Sequence, residues 1–240
     1  MSYGYSPGLV VADAQADVRA AFIRRTYGHL AGAILAFIGI EYLLLHTSLK
    51  EIILPMFTGW GVLIMFVLFV VVSHLATMWA QSGSSPEMQY LGLGLYVLIE
   101  ALIFLPILFV ADSLAEQNPA KYGGVVGSAA ILTLAVFGGL TAAVIFTRKD
   151  YSFLGPIISV CSLVALGVVV AGMLFGFNLG LFFSFAMVAL ASACILYQTS
   201  NILYHYRADQ HVAAALALFA AVALLFYYIL RIALASRSGD

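Results

Sequence analysis

The chain has 240 residues, of which 64% are hydrophobic and only 9% charged, with a formal net charge of −1 and a mean hydropathy of +1.07. Soluble domains carry about 25% charged residues, so this composition excludes a soluble fold and implies a polytopic membrane protein. The near-neutral balance leaves no general basic surface for nucleic acid, and the sequence holds no zinc-ligand spacing, no P-loop and no GxGxxG after a strand.

Residues 1–25 are mostly polar or small and carry Asp13, Asp17, Arg19, Arg24 and Arg25; they read as a polar N-terminal tail. A secretory signal would place its apolar core earlier, with a small-residue cleavage site after it. The first apolar run is therefore an uncleaved helix. A bilayer core of about 30 Å takes about 20 apolar residues per helix. Seven runs qualify, at roughly 26–46, 52–76, 88–110, 123–146, 152–174, 179–204 and 212–235, leaving 236–240 as a short C-terminal tail. The breakers are "HTSLKE", "QSGSSPE", "ADSLAEQNPAKYGG", "TRKD", "FGFN" and "HYRADQH". Barrel strands would alternate over about ten residues. These runs are continuous and about twice as long, so the expected fold class is all-α with seven transmembrane helices. No internal repeat supports a transporter of duplicated halves.

Along the chain, Gly28/Gly32 in the first run and Gly123/Gly127 in the fourth are candidate close-contact sites between helices. Glu41 lies near the end of the first run, placed to snorkel or meet headgroups, and His74 near the end of the second is a structural residue on this reading. Glu100, in "YVLIEALIFLP", lies near the middle of the third. A charge at the bilayer centre costs roughly 2.5–3.5 kcal/mol on insertion scales, so Glu100 faces the bundle, finds a partner or stays protonated. It reads equally as a proton or cation site and as a protonated, hydrogen-bonded structural residue. Pro106, six residues on, removes a backbone hydrogen bond and can kink the same helix.

Cys161 and Cys194 fall inside apolar runs and read as buried thiols rather than a disulfide. Gln198, Thr199, Ser200 and Asn201 give the sixth helix a polar end, with ordinary helix-to-helix hydrogen bonding as the stronger reading. Arg207 and Asp209 can pair in the following loop at little energetic gain. His205 and His211 flank that loop with nothing to complete a metal shell, so no metal or cofactor is expected. In the last run, Ala213, Ala217, Ala220 and Ala221 form a stripe with Ala214 and Ala223 beside it. Either this helix packs close to several neighbours or the stripe is the ordinary alanine content of membrane helices.

With the N-terminus inside, inner segments carry Arg19, Arg24, Arg25, Arg148, Lys149 and Arg207, and outer ones Lys50, Lys121, Arg231 and Arg237. That bias favours a cytoplasmic N-terminus and an external C-terminus. An intramembrane aspartyl protease would need two deep aspartates, and no aspartate lies mid-span. A serine type would need a core base, and intramembrane serines such as Ser159, Ser162, Ser184 and Ser192 usually back-bond within their helix. The chain is read as non-enzymatic.

Three segments then resemble one family. "LYQTSNILYHYRADQHVAAALALF", with Gln198, Thr199, Asn201, Arg207 and Asp209, is similar to the sixth-to-seventh helix signature of the Bax inhibitor-1 family. "TRKDYSFLG", with Arg148, Lys149 and Asp150, resembles its junction between the fourth and fifth helices, and "FIRRTYGHLAGAILAF" its first helix. The resemblance runs from about residue 20 to the C-terminus. It looks closest to the bacterial branch typified by the modulator of the membrane AAA protease FtsH. It implies seven helices with the last one central, surrounded by the other six. It also implies a bacterial inner (plasma) membrane location, a role in membrane-protein quality control and stress response, and an FtsH-like protease as partner. Several members of the family are pH-sensitive calcium leaks whose sensor is a pair of aspartates. By the motif those positions are Gln198 and about Ala221 here, and neither is acidic. If Ca²⁺ or H⁺ is conducted, Glu100 is the deep acid left to serve. The function expected is binding and modulation of the protease; the alternative is a leak channel using Glu100.

Overall fold

The protein's computed structural model describes residues 10–81 and 85–238. Among the described residues, seven helices are long and apolar enough to cross a membrane. They are α1 (Ala16–His46), α2 (Gly61–Ala80), α3 (Pro86–Gln117), α4 (Val125–Thr147), α5 (Leu154–Phe175), α6 (Gly180–Tyr204) and α7 (His211–Ser238). Among the described residues the only β pairing is an antiparallel bridge between Val10 and Arg207.

The helix ends follow local chemistry. α1 starts ten residues before the apolar run: the segment 16–25, expected as tail, is helical and carries Asp17 in its first turn, where the helix dipole favours an acid. The second span starts nine residues later than expected. Pro55 and Gly59 break the run into a short helix, Leu49–Ile53, and a 3-10 turn, Leu54–Phe57. Gly59 takes φ +56, and a Cβ on Gly61 would run into the Met56 carbonyl. α3 opens with Ser85 accepting a hydrogen bond from the Met88 amide and Pro86 in its first turn. It continues through Pro106 to Gln117. α4 ends at Arg148, whose φ of +52 makes it the one non-glycine left-handed residue among those described.

The last helix is central. α7 packs against α1, α2, α3, α4 and α6, while α5 packs on α6 and α2. α7 is buried nearly all round, from Val212 to Leu230, whereas α5 has no buried residue. The alanines follow this: Ala213, Ala214, Ala221 and Ala223 are buried and Ala217 and Ala220 half-buried, so no single face is singled out. In lipid the tails are as apolar as leucine, so association rests on close van der Waals contact and hydrogen bonds. Phe104 of α3 sits at the centre of this contact, 5.0 Å from Phe37, 5.7 Å from Phe226 and 5.3 Å from Tyr227 between ring centres.

The tightest backbone approach is not at the glycine pairs expected from the sequence. A Cβ on Gly92 of α3 would lie 2.5 Å from the Ala76 carbonyl oxygen and 2.6 Å from the Ala80 nitrogen of α2. At Gly28, Gly32 and Gly127 a Cβ would meet nothing within 4 Å, and at Gly123 only its own short helix, at Pro119. The spacing of those glycines is right for close contact, but no neighbouring helix approaches there.

Candidate functional site

Among the described residues, a loop cluster at the end of the bundle where α1 begins and the carboxyls buried within the bundle hold most of the sequence-predicted site residues.

The loop cluster joins four segments. The Tyr206 carbonyl accepts the Val11 amide at 2.9 Å, anchoring the chain before α1 onto the α6–α7 loop. Arg19 donates to the Ala12 carbonyl at 2.9 Å and closes that segment back onto α1. The α4–α5 loop is held by Asp150. Its Oδ1 accepts from the Ser152 amide at 2.8 Å and the Ser200 hydroxyl at 3.1 Å. Its Oδ2 lies 3.4 Å from His205 Nε2. The Ser152 amide, with Ser200 and His205 beside it, holds the Asp150 carboxyl below the usual carboxylate range. Ser200 in turn accepts from the Tyr151 amide at 2.9 Å. Tyr204 donates to the Arg148 carbonyl at 2.6 Å, which fixes the left-handed turn where α4 ends. Arg148 and Lys149 themselves are exposed. Arg207 and Asp209 form the expected pair through two contacts of 3.2 Å, and the Arg207 amide donates to Gln210 at 3.1 Å. Asn201 serves through its backbone, its carbonyl accepting the His205 and Tyr206 amides that close α6.

The two sensor-segment positions differ in setting. Gln198 accepts from the Tyr206 hydroxyl at 3.4 Å, a long contact, and Ala221 is buried in α7. Thr199 is fully buried, and its hydroxyl gathers with those of Tyr27 and Thr141 from α1 and α4. None of the three makes a well-aligned hydrogen bond.

Glu100 lies in α3 with 6% exposure, and one carboxylate oxygen has no partner. Tyr96, one turn earlier, is its hydrogen-bonding neighbour. It lines a cavity of about 370 Å³ with Phe57, Pro106, Tyr227 and Tyr228, so Glu100 and Pro106 do share one site.

Glu41 corrects the sequence reading. It does not reach the headgroups: it is 4% exposed and both carboxylate oxygens lack partners. It lines a second cavity, of about 390 Å³, with Thr133, Phe219 and Phe226. The reason was legible in the helix period. Thr26, Leu30, Ala33, Phe37, Glu41 and Leu44 recur every three or four residues and are the buried face of α1. Depth along the helix suggested the membrane edge, but the face decides what a side chain meets.

Among the described residues no group of three His, Cys, Asp or Glu could hold a metal ion. His74 is exposed on α2. Cys161 is exposed and Cys194 partly buried, and the two thiols are free; the expectation of burial fails for Cys161 because α5 lies on the outside of the bundle.

The family described as inhibitor of apoptosis-promoting Bax1 matches residues 19–239. An uncharacterised protein of Pseudomonas aeruginosa is 40% identical over 111 residues, 46% of this chain and 50% of that protein. A "BI1-like protein" of Arabidopsis thaliana is 36% identical over 126 residues, 49% of this chain and 47% of that protein. The chain thus spans about half the length of the curated relatives it matches.

Proposed function

The chain belongs to the Bax inhibitor-1 family of multi-pass membrane proteins, and we propose that within it the protein acts by interaction, binding and modulating an FtsH-like membrane AAA protease in the bacterial inner membrane. The observation that carries this reading is the ordered polar end of the bundle. The segment before α1 is tied to the α6–α7 loop at Tyr206, and the Asp150 loop is tied to the end of α6 at Ser200 and Tyr204, by named hydrogen bonds. Such a surface is pre-organised for docking and loses little freedom on binding. It carries Arg19, Arg148, Lys149 and Arg207, the basic residues that favour a cytoplasmic placement, where the catalytic domains of such a protease lie. Photo-crosslinkers placed at Lys149 and Ala208 test it in cells at native expression. Adducts with the protease are expected from both positions and not from Phe182 on the outside of α6. Equal yields from all three, or none from the loops, would remove the proposal.

A second reading is favoured by one observation: Glu100 is buried, with an oxygen unpartnered, in a cavity it shares with two tyrosines. That arrangement supports a proton or Ca²⁺ leak through Glu100 in place of the family's aspartate pair. Flux into liposomes that is present in wild type and lost in Glu100→Gln would establish it. Unchanged flux in the variant would take Glu100 out of any mechanism.

A further inference from the structure

A groove of about 650 Å³ runs between α1 and α3, with Arg24 and Arg25 at its mouth and Ile40 and Val97 at its deep end. We propose that it is a binding site for one anionic phospholipid, with the phosphate on the two guanidiniums and an acyl chain laid along the glycine-lined floor.

Shape supports this first. From Arg24 to Ile40 the groove follows about 24 Å of α1 at 1.5 Å per residue, enough to pass from headgroup level well into a hydrocarbon core of about 30 Å. Its walls include Gly28, Gly32 and Gly94. A Cβ at any of the three would meet nothing within 4 Å. Glycine on a membrane helix normally allows another backbone to come close, yet here no element of the chain uses the space. The mouth is also fixed. His29 Nε2 lies 3.2 Å from the Tyr90 hydroxyl, joining α1 to α3, and His29 Nδ1 bonds the Arg25 carbonyl one turn back. That contact sets the spacing of the two helices at the mouth of the groove.

Charge selects the occupant. Arg24 and Arg25 are exposed, and among the described residues neither guanidinium makes a hydrogen bond or ion pair. Among the described residues, Asp150 and Asp209 pair with His205 and Arg207 instead. Two free cations at the mouth of an open, mostly apolar groove between α1 and α3 match a lipid with an anionic head and long chains; basic pockets between membrane helices take such headgroups. A second copy of the chain fits less well. Gly28 and Gly32 have the spacing of a helix-dimer motif, but a parallel two-fold contact there would bring the arginines of both copies together.

Native mass spectrometry of the full chain in mild detergent tests the site, with phosphatidylglycerol and phosphatidylcholine of identical acyl chains as probes. Wild type should retain phosphatidylglycerol in preference to phosphatidylcholine. Arg24→Gln with Arg25→Gln should cut that preference by roughly 30-fold, the contribution of two basic side chains at a membrane surface. Gly32→Leu, which fills the floor and leaves the arginines in place, should abolish retention of both lipids. If the double arginine variant does not fold, Arg24→Gln alone and Gly32→Leu decide the matter. Equal retention of the two lipids by wild type would overturn the proposal, as would a phosphatidylglycerol adduct that survives the variants that fold. A dimer abolished by Gly32→Leu, without bound lipid, would assign the groove to a second copy instead.

Discussion

Replacing Gly92 by alanine adds a single carbon at the tightest point of the α2–α3 contact. The new Cβ would lie 2.5 Å from the Ala76 carbonyl oxygen, 2.6 Å from the Ala80 nitrogen and 3.1 Å from the Trp79 Cβ. The first two are backbone atoms, so no rotamer change relieves the overlap. The helices must separate by about an ångström, opening a gap along a seam that has no solvent-driven force to close it, at a cost of about 1–3 kcal/mol. Gly32→Ala is the internal control. It makes the same chemical change in a helix, meets nothing within 4 Å, and should gain up to about 1 kcal/mol from helix propensity. Thermal unfolding in one detergent, followed by tryptophan fluorescence, should place Gly92→Ala several degrees below wild type and Gly32→Ala at or above it. Equal midpoints for the two variants would refute the claim that backbone proximity at Gly92 sets the α2–α3 contact.

Other expectations follow from the carboxyls and the loop cluster. Asp150 has a lowered folded-state pKa, so its stabilisation of the loops is present above the unfolded value of about 3.9 and is lost as pH falls through the folded value. Amide protection over residues 148–153, taken relative to the intrinsic exchange rate at each pH, should therefore fall below about pH 4, and Asp150→Asn should show the lower protection already at pH 7 and little further change with acid. Tyr204→Phe deletes an exposed hydrogen bond to the Arg148 carbonyl, worth about 0.5–1.5 kcal/mol, and should raise proteolytic cutting near Arg148 without moving the global unfolding midpoint by more than a few degrees. Glu41 has no partner for either oxygen, so Glu41→Met should be neutral or stabilising in the same unfolding assay. Glu41→Lys, which leaves a longer cation in the same apolar cavity, should destabilise by about 3 kcal/mol or more. A Glu41→Met variant as unstable as Glu41→Lys would mean the carboxyl has a partner that its surroundings do not reveal.

The number and order of spans could be read from the sequence because apolar runs of membrane length leave few alternatives. Their ends could not, because hydropathy does not register that Asp17, Arg19 and Arg24 belong to the same helix as the apolar run, or that Pro55 and Gly59 split one apolar run into two pieces. The centrality of α7 was expected from family resemblance and accords with its alanines, yet its burial extends around the whole helix. The glycine pairs misled for a related reason: spacing identifies a face that permits close contact, and only the packed structure shows whether a helix takes it up. Glu100 was visible as a lone acid in an apolar run. Glu41 was visible too, on the stripe from Thr26 to Leu44, but its nearness to the helix end suggested the headgroups. The tie between Asp150, Ser200 and His205 joins residues 50 and more apart in sequence and leaves no local signature.

The interaction reading is tested most directly by reconstitution. An FtsH-like protease and a membrane-anchored substrate are placed in liposomes with and without the purified chain, and substrate loss is timed while Ca²⁺ and proton entry are recorded from the same vesicles. A lower degradation rate is expected with the chain present, with relief of that effect by substitution of Lys149 and Arg207 and no ion entry above protein-free vesicles. An unchanged degradation rate at molar excess of the chain, together with ion entry that Glu100→Gln abolishes, would contradict the interaction reading and give the protein to the leak reading.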